Sequence, residues 1–125
     1  MTITYAWRGA FTDPELSDVD SSAPGWWERM NAHSLGWVCA RDAGGALAGF
    51  VNVAWDGGQH AFILDTWVDP ALRRAGIGTR LVEVAAEESR AAGCTWLHVD
   101  FEPHLTTYYL ESCGFRPTAA GLIAL

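Results

Sequence analysis

Residues 63–93, ILDTWVDPALRRAGIGTRLVEVAAEESRAAG, constrain this chain most, because they read as a strand, a tight loop and a helix in fixed order. His60 to Val68 is apolar on both faces apart from Asp65 and Thr66, as expected of a strand deep in a sheet. Asp69-Pro70 ends it, since proline has no N–H to give a ladder. Arg73-Arg74-Ala75-Gly76-Ile77-Gly78 leads into a helix predicted over Thr79–Ala92, with an apolar stripe through Leu81, Val82, Ala85 and Ala86. Gly93 is placed to stop that helix.

The chemistry of such a loop is anion binding. Glycines let backbone N–H groups approach a ligand, and the helix start aims unpaired amides and a positive dipole end at it. Arg73, Arg74 and Arg80 bring positive charge to a chain with 15 acidic and 8 basic residues, so a phosphate or pyrophosphate is the expected ligand. The third glycine of the dinucleotide fingerprint is missing, and no Gly-Lys-Ser/Thr follows as a P-loop requires.

Arg73, Gly76 and Gly78 fill the three places of Arg/Gln-x-x-Gly-x-Gly/Ala, and in this the loop resembles the acyl-CoA pyrophosphate loop of the GNAT superfamily of N-acetyltransferases. Asp65-Thr66-Trp67-Val68-Asp69-Pro70 looks like that family's fourth strand, and Cys113-Gly114-Phe115 like the Gly-Phe after its last helix. The resemblance implies an acetyl-CoA-dependent N-acetyltransferase of α+β class. Its sheet would be mixed and mostly antiparallel, with a parallel pair flanking a crossover helix and helices on both faces. It also implies that the CoA phosphates meet Arg73, Arg74, Ala75, Gly76, Ile77, Gly78 and Thr79. The pantetheine arm would bond the backbone of Trp67 and Val68. His104 stands near a place where many members carry an asparagine that touches that arm.

The rest of the chain agrees with that order. One domain fits residues 1–125. Thr2–Arg8 alternates as a first strand, and Phe11–Asp20 and Trp26–His33 read as short helices parted by a break at Ser21-Ser22-Ala23-Pro24-Gly25. Trp37–Arg41 and Ala46–Trp55 form a hairpin across Asp42-Ala43-Gly44-Gly45, and Asp56-Gly57-Gly58 leads to the His60–Val68 strand. Thr95–Phe101 must then lie parallel to it. Pro103–Ser112 is the expected last helix, and Gly121–Leu125 a short strand whose free edge a second subunit of a homodimer would cover.

A formal charge of −7 argues against nucleic acid and anionic membrane as partners. Cys39, Cys94 and Cys113 lack metal-ligand spacing and are odd in number, so reduced thiols in a cytoplasmic protein without a metal are expected. No signal peptide and no membrane span are visible.

Amine acetylation needs a neutral nucleophile. Deprotonating an alkylammonium of pKa about 10.4 at pH 7 costs roughly 4.6 kcal/mol, whereas expelling a thiolate of pKa near 8.5 costs only about 2 kcal/mol. A base therefore matters more than an acid. Asp65, an ionisable group in an apolar strand beside the expected thioester, is the first candidate, with Glu102 and Asp100 behind it; its structural alternative is a buried carboxylate satisfied by backbone amides or by an arginine. The family's frequent general acid is a tyrosine five residues before the Phe of Gly-Phe, where this chain has Leu110; Tyr109 stands one residue earlier. Either the helix is offset or bulged, bringing Tyr109 to the sulfur, or the thiolate leaves unaided, or the chain is a non-catalytic acyl-CoA-binding module. Residues 1–36 carry five acidic residues against two arginines, together with Trp26, Trp27 and His33. Aromatic faces near carboxylates suit a small primary amine as acceptor.

Overall fold

The computed structural model describes residues 2–20 and 25–125, so residues 21–24 of the expected Ser21–Gly25 break lie outside the described residues. Five strands form one sheet in the order β1-β2-β3-β4-β5: β1 (Thr4–Trp7), β2 (Ser34–Arg41), β3 (Leu47–Trp55), β4 (His60–Val68) and β5 (Trp96–Val99). The first four run antiparallel, and β4 and β5 pair in parallel, with helix α2 (Ile77–Ala91) crossing between them. The α+β architecture is the expected one.

Alternation on the strands divides the core in two. Val38, Ala40, Val51, Val53, Ala61 and Ile63 meet Ile77, Leu81, Val84 and Ala85 of α2 on one face. The other face carries Trp37, Cys39 and Phe50, which bury Phe11, Leu16, Trp26 and Met30 from the N-terminal segment and helix α1 (Trp26–His33). Phe11 is the hinge of that second core, meeting Trp27, Trp37 and Phe50 edge-on at 5.0, 5.8 and 5.6 Å. The segment expected as a helix over Phe11–Asp20 narrows to a 3-10 turn at Asp13–Leu16, which Glu15 pins to the sheet through Arg41.

Two expectations at the C-terminal end need correction. Pro103–Ser112 is not one regular helix. It is a 3-10 turn at Pro103–Leu105 followed by a π-helical turn at Thr107–Ser112. Gly121–Leu125 is not a strand: after Gly114 turns the chain (φ 81°), residues 116–125 stay irregular and exposed, with Leu122 84% and Ile123 86% accessible. Pro117 cannot donate to a ladder, and Arg116 lays its guanidinium over Trp96 at 5.0 Å instead of pairing along β5. Among the described residues β5 is therefore a sheet edge. Among them, too, no helix is long and apolar enough to cross a membrane.

Candidate active site

Two irregularities open the centre of the sheet. β4 and β5 pair only from His60↔Trp96 to Ile63↔Val99, and beyond that point the strands part. On its other side β4 shifts register against β3 between Phe50 and Asn52, where Asp65 takes a left-handed φ of 57°. An extra residue at such a bulge re-aims the side chains beside it. The result is a cleft of about 180 Å3 lined by Ile63, Leu64, Asp65, Thr66, Val99, Asp100 and Tyr109. A larger open groove runs along the outer side of β5 and contains Glu102.

Tyr109 reaches the cleft because of the π-helical turn. Cys113 N–H bonds Tyr108 O at 3.0 Å, a span of five residues, so this turn holds one residue more than an α-helix does. Tyr109, six residues before Phe115, thereby lines the cleft, and Leu110 does not. The Tyr109 ring is 5% exposed, stacks on Phe101 at 4.9 Å and meets Phe115 at 6.0 Å, and its hydroxyl faces the Thr66 side chain. Burial raises its pKa, and the Thr66 contact opposes that rise, so the phenol keeps its proton through the neutral range.

Asp65 is held from the opposite side. Its Oδ2 accepts a hydrogen bond from Asn52 Nδ2 at 3.1 Å, and Asn52 Oδ1 accepts one from Ser34 Oγ at 2.6 Å. Sequence reasoning did not single out Asn52. The available signal was an amide between Val51 and Val53 in an apolar strand, a buried polar group that needs partners.

The anion loop sits at the start of α2. Gly76 caps the helix at φ 79°, and the space where a side chain would stand is open. By helix geometry the amides of Ile77, Gly78 and Thr79 have no carbonyl to bond, and no side chain caps them. Arg73 and Arg74 are exposed and form no ion pair among the described residues, and Arg74 also has a left-handed φ of 71°. An open cradle, free amides and two unpaired guanidiniums fit a pyrophosphate. Arg80 differs from expectation: Glu83 and Glu87 pair with it at 3.1 and 3.2 Å, so its charge is compensated on the helix surface. Gly78 also has a different role. A Cβ there would lie 2.7 Å from Tyr108 Oη, so this glycine makes room for the last helical turn. Ile77 turns its side chain into the core and has only its backbone to offer a ligand.

The remaining candidates separate. Trp67 and Val68, at the end of β4, are half-buried, and Asp69 N–H bonds Ala48 O at 2.9 Å just beyond them. Asp100 lines the cleft; Glu102 does not and is exposed, like His104 on the next turn. Trp26 is 2% exposed and belongs to the core, a correction to its reading as an acceptor contact, because its large ring fills the space against Phe50. Trp27 and His33 remain exposed.

The model of the acetyltransferase (GNAT) family matches residues 2–115. The chain belongs to this family. Among curated relatives, "Probable glucosamine 6-phosphate N-acetyltransferase 2" of Oryza sativa subsp. japonica is 39% identical over 59 residues, 47% of this chain and 35% of that protein. Glucosamine 6-phosphate N-acetyltransferase 1 of the same organism is 36% identical over 58 residues, 46% of this chain and 34% of that protein. The matched segments thus span about a third of these relatives' length. The crystal structure of the Arabidopsis thaliana glucosamine-6-phosphate N-acetyltransferase superposes with a TM-score of 0.78 at 16% identity, covering 98% of each chain. AAC(6')-Iy in complex with the bisubstrate analogue CoA-S-monomethyl-acetylneamine gives 0.79 at 16% identity, covering 100% of this chain and 98% of the other. At these identities the structures attest the fold.

Proposed function

We propose that this GNAT chain is an N-acetyltransferase that moves an acetyl group from acetyl-CoA to the primary amine of a small metabolite, directly and within a ternary complex. One observation carries the reading: Asp65 and Tyr109, from distant parts of the chain, line one cleft, and the turn that bears Tyr109 packs on the first turn of α2. Acetyl-CoA supplies an activated acyl carbon; the amine nitrogen bonds to it as the carbon–sulfur bond breaks. The Arg73–Thr79 loop holds the phosphates with its amides and two guanidiniums. The Trp67–Val68 backbone aligns the pantetheine arm. Asp65 takes the ammonium proton, directly or through a water; Tyr109 delivers a proton to the departing sulfur and recovers, through solvent, the second proton that the nitrogen sheds on becoming the amide. Asp100 is the nearest substitute for Asp65, since it shares the cleft.

The motive for a non-catalytic acyl-CoA-binding module was Leu110 at the usual tyrosine place; Tyr109 in the cleft weakens it. Trp27 and His33 remain the acceptor contacts of this reading. The acidic wall is smaller than the sequence count, because Glu15 is bonded to Arg41 at 2.6 Å. The curated relatives' names make glucosamine 6-phosphate the first amine to try. A reducing, cytoplasmic setting fits three free cysteines, and a homodimer covering the β5 edge belongs to the same proposal.

The test is thiol release from acetyl-CoA in the presence of small amines, glucosamine 6-phosphate, peptides with free N-termini and lysine peptides. Amine-dependent release is expected with small amines. Release with peptides alone refutes the small-metabolite half, and CoA binding without release under any amine leaves the binding module. Gly76→Glu puts a negative side chain into the open cradle and should abolish the CoA thermal shift; an unaltered shift in that folded variant removes the loop from the site.

A further inference from the structure

Asn52 is 4% exposed in the middle of β3, between Val51 and Val53 and two residues from Phe50. A buried amide must have its hydrogen bonds supplied. Both ends of this amide are supplied, and in a fixed order. The Asp65 carboxylate fixes which end faces it: the NH2 group donates to Oδ2 at 3.1 Å, and Oδ1 is left to accept from Ser34 Oγ at 2.6 Å. A carboxylate can only accept, so this orientation is the sole one that satisfies all three groups.

At the same place β4 bears a second local cost. Asp65 is a non-glycine residue at φ 57°, in the left-handed region that L-residues avoid. A strained residue and a buried polar group thus meet at one point, and strain of this kind collects at functional sites. The network also crosses the sheet. Ser34 opens β2 directly after His33 of α1, Asn52 lies on β3, and Asp65 lies on the bulge of β4. It connects the end of α1 to the cleft between β4 and β5.

We propose that Asn52 is a positioning residue: its amide, locked by Ser34, fixes the Asp65 carboxylate in the cleft relative to the end of α1. The inference rests on the Asp65 role proposed above. Asn52 touches neither donor nor acceptor and acts only through Asp65. Two consequences follow. Removing the amide frees the carboxylate to swing, which lowers turnover more than it changes the KM of either substrate. Removing Ser34 leaves the amide bonded to Asp65 but without its second anchor, with a smaller effect.

The experiment is a double-mutant cycle on Asn52→Leu and Asp65→Asn, read as kcat and KM for thiol release from acetyl-CoA with the best amine of the screen. Asn52→Leu should lower kcat about 10- to 100-fold, the scale on which a misplaced reacting group costs rate. In the Asp65→Asn background it should cost less than about twofold, because the group it positions is already gone. Equal losses in both backgrounds would mean that Asn52 acts through the fold at large, and the proposal falls. Full activity in Asn52→Leu beside a crippled Asp65→Asn also overturns it, while sparing the role of Asp65. Full activity in Asp65→Asn sinks the base reading itself, and this inference with it. Ser34→Ala is the second variant, needed should Asn52→Leu fail to fold. A several-fold loss of kcat that vanishes in the Asp65→Asn background supports the proposal, and a loss that persists there refutes it.

Discussion

The two glycines of the α2 loop answer different physical needs, and substitution can separate them. At Gly76 the need is conformational: φ is 79°, with nothing within 4 Å of a built Cβ. Gly76→Ala should therefore cost about 1–2 kcal/mol for placing an L-residue in the left-handed region. Gly78 has no such φ; a Cβ there would lie 2.7 Å from Tyr108 Oη and 3.3 Å from its Cζ, against ordinary contact from 3.4 Å. Overpacking of this size costs about 1–3 kcal/mol. Removing the hydroxyl leaves only the 3.3 Å approach, which a small shift accommodates. The hydroxyl is itself dispensable to the fold: it is buried with no hydrogen-bond partner of good geometry among the described residues, its polar neighbour being the Cys113 thiol, and burial pushes its pKa up. Tyr108→Phe should thus be neutral or stabilise by up to about 1 kcal/mol. In that background Gly78→Ala should become neutral, since alanine's better helix propensity, up to about 1 kcal/mol, offsets the residual crowding. Urea denaturation of the four proteins measures the coupling, expected at about 1–2 kcal/mol. A Gly78→Ala penalty that is equal with and without the hydroxyl would refute the argument. Should the double variant fold but lose its CoA thermal shift, Gly78 serves the anion after all.

Tyr109→Phe should lower turnover and remove the alkaline limb of the pH–rate profile, which in the parent lies above the ordinary tyrosine range because burial raises this phenol; an unaltered profile makes Tyr109 a packing residue. Arg41 holds the Glu15 carboxyl down at about 2 from an ordinary 4.5. The stability from that bond is complete above pH 4.5 and is lost as pH falls toward 2. With the bridge partly in solvent we expect at most about 1 kcal/mol, read as the acid-induced loss in urea midpoints that Glu15→Gln no longer shows; the same loss in that variant removes the bridge from acid unfolding.

The strands and α2 were legible because their patterns are local and long. β4 runs over His60–Val68 as the sequence reads, and α1 over Trp26–His33. Boundaries slipped where the decisive groups lie outside the segment. β2 begins at Ser34, three residues before the apolar run, because Ser34 and Gly36 pair with Ala54 and Val53 of β3. α2 begins at Ile77, not Thr79, because Gly76 turns the chain into the helix and buries Ile77 at once. Periodicity cannot report such entry angles. The tail after Phe115 was misread for a related reason, since a short apolar run becomes a strand only when a partner edge accepts it.

Asp65, Asp100 and Tyr109 of the candidate cleft were legible as chemical types but not in their register, and two one-residue irregularities account for most of that gap. Spacing along a regular helix puts Leu110 at the tyrosine place and turns Tyr109 away by about 100°. The π-helical turn takes up that residue; within it Tyr108 stands against Gly78, while Phe101 and Phe115 hold the Tyr109 ring between them. On β4 the extra residue falls at Asp65, whose left-handed backbone lets the carboxylate meet Asn52 while Thr66 faces Tyr109. Without the bulge, strict alternation would send each later side chain of β4 to the opposite face. Without the π turn, Thr66 would face a leucine. The two insertions stand across one cleft, and each places a polar group that straightening its element would remove. Deleting Leu110, which puts Tyr109 five residues before Phe115, should therefore straighten the turn and keep the hydroxyl in the cleft, read as retained turnover; lost turnover in that folded variant would refute the one-residue account.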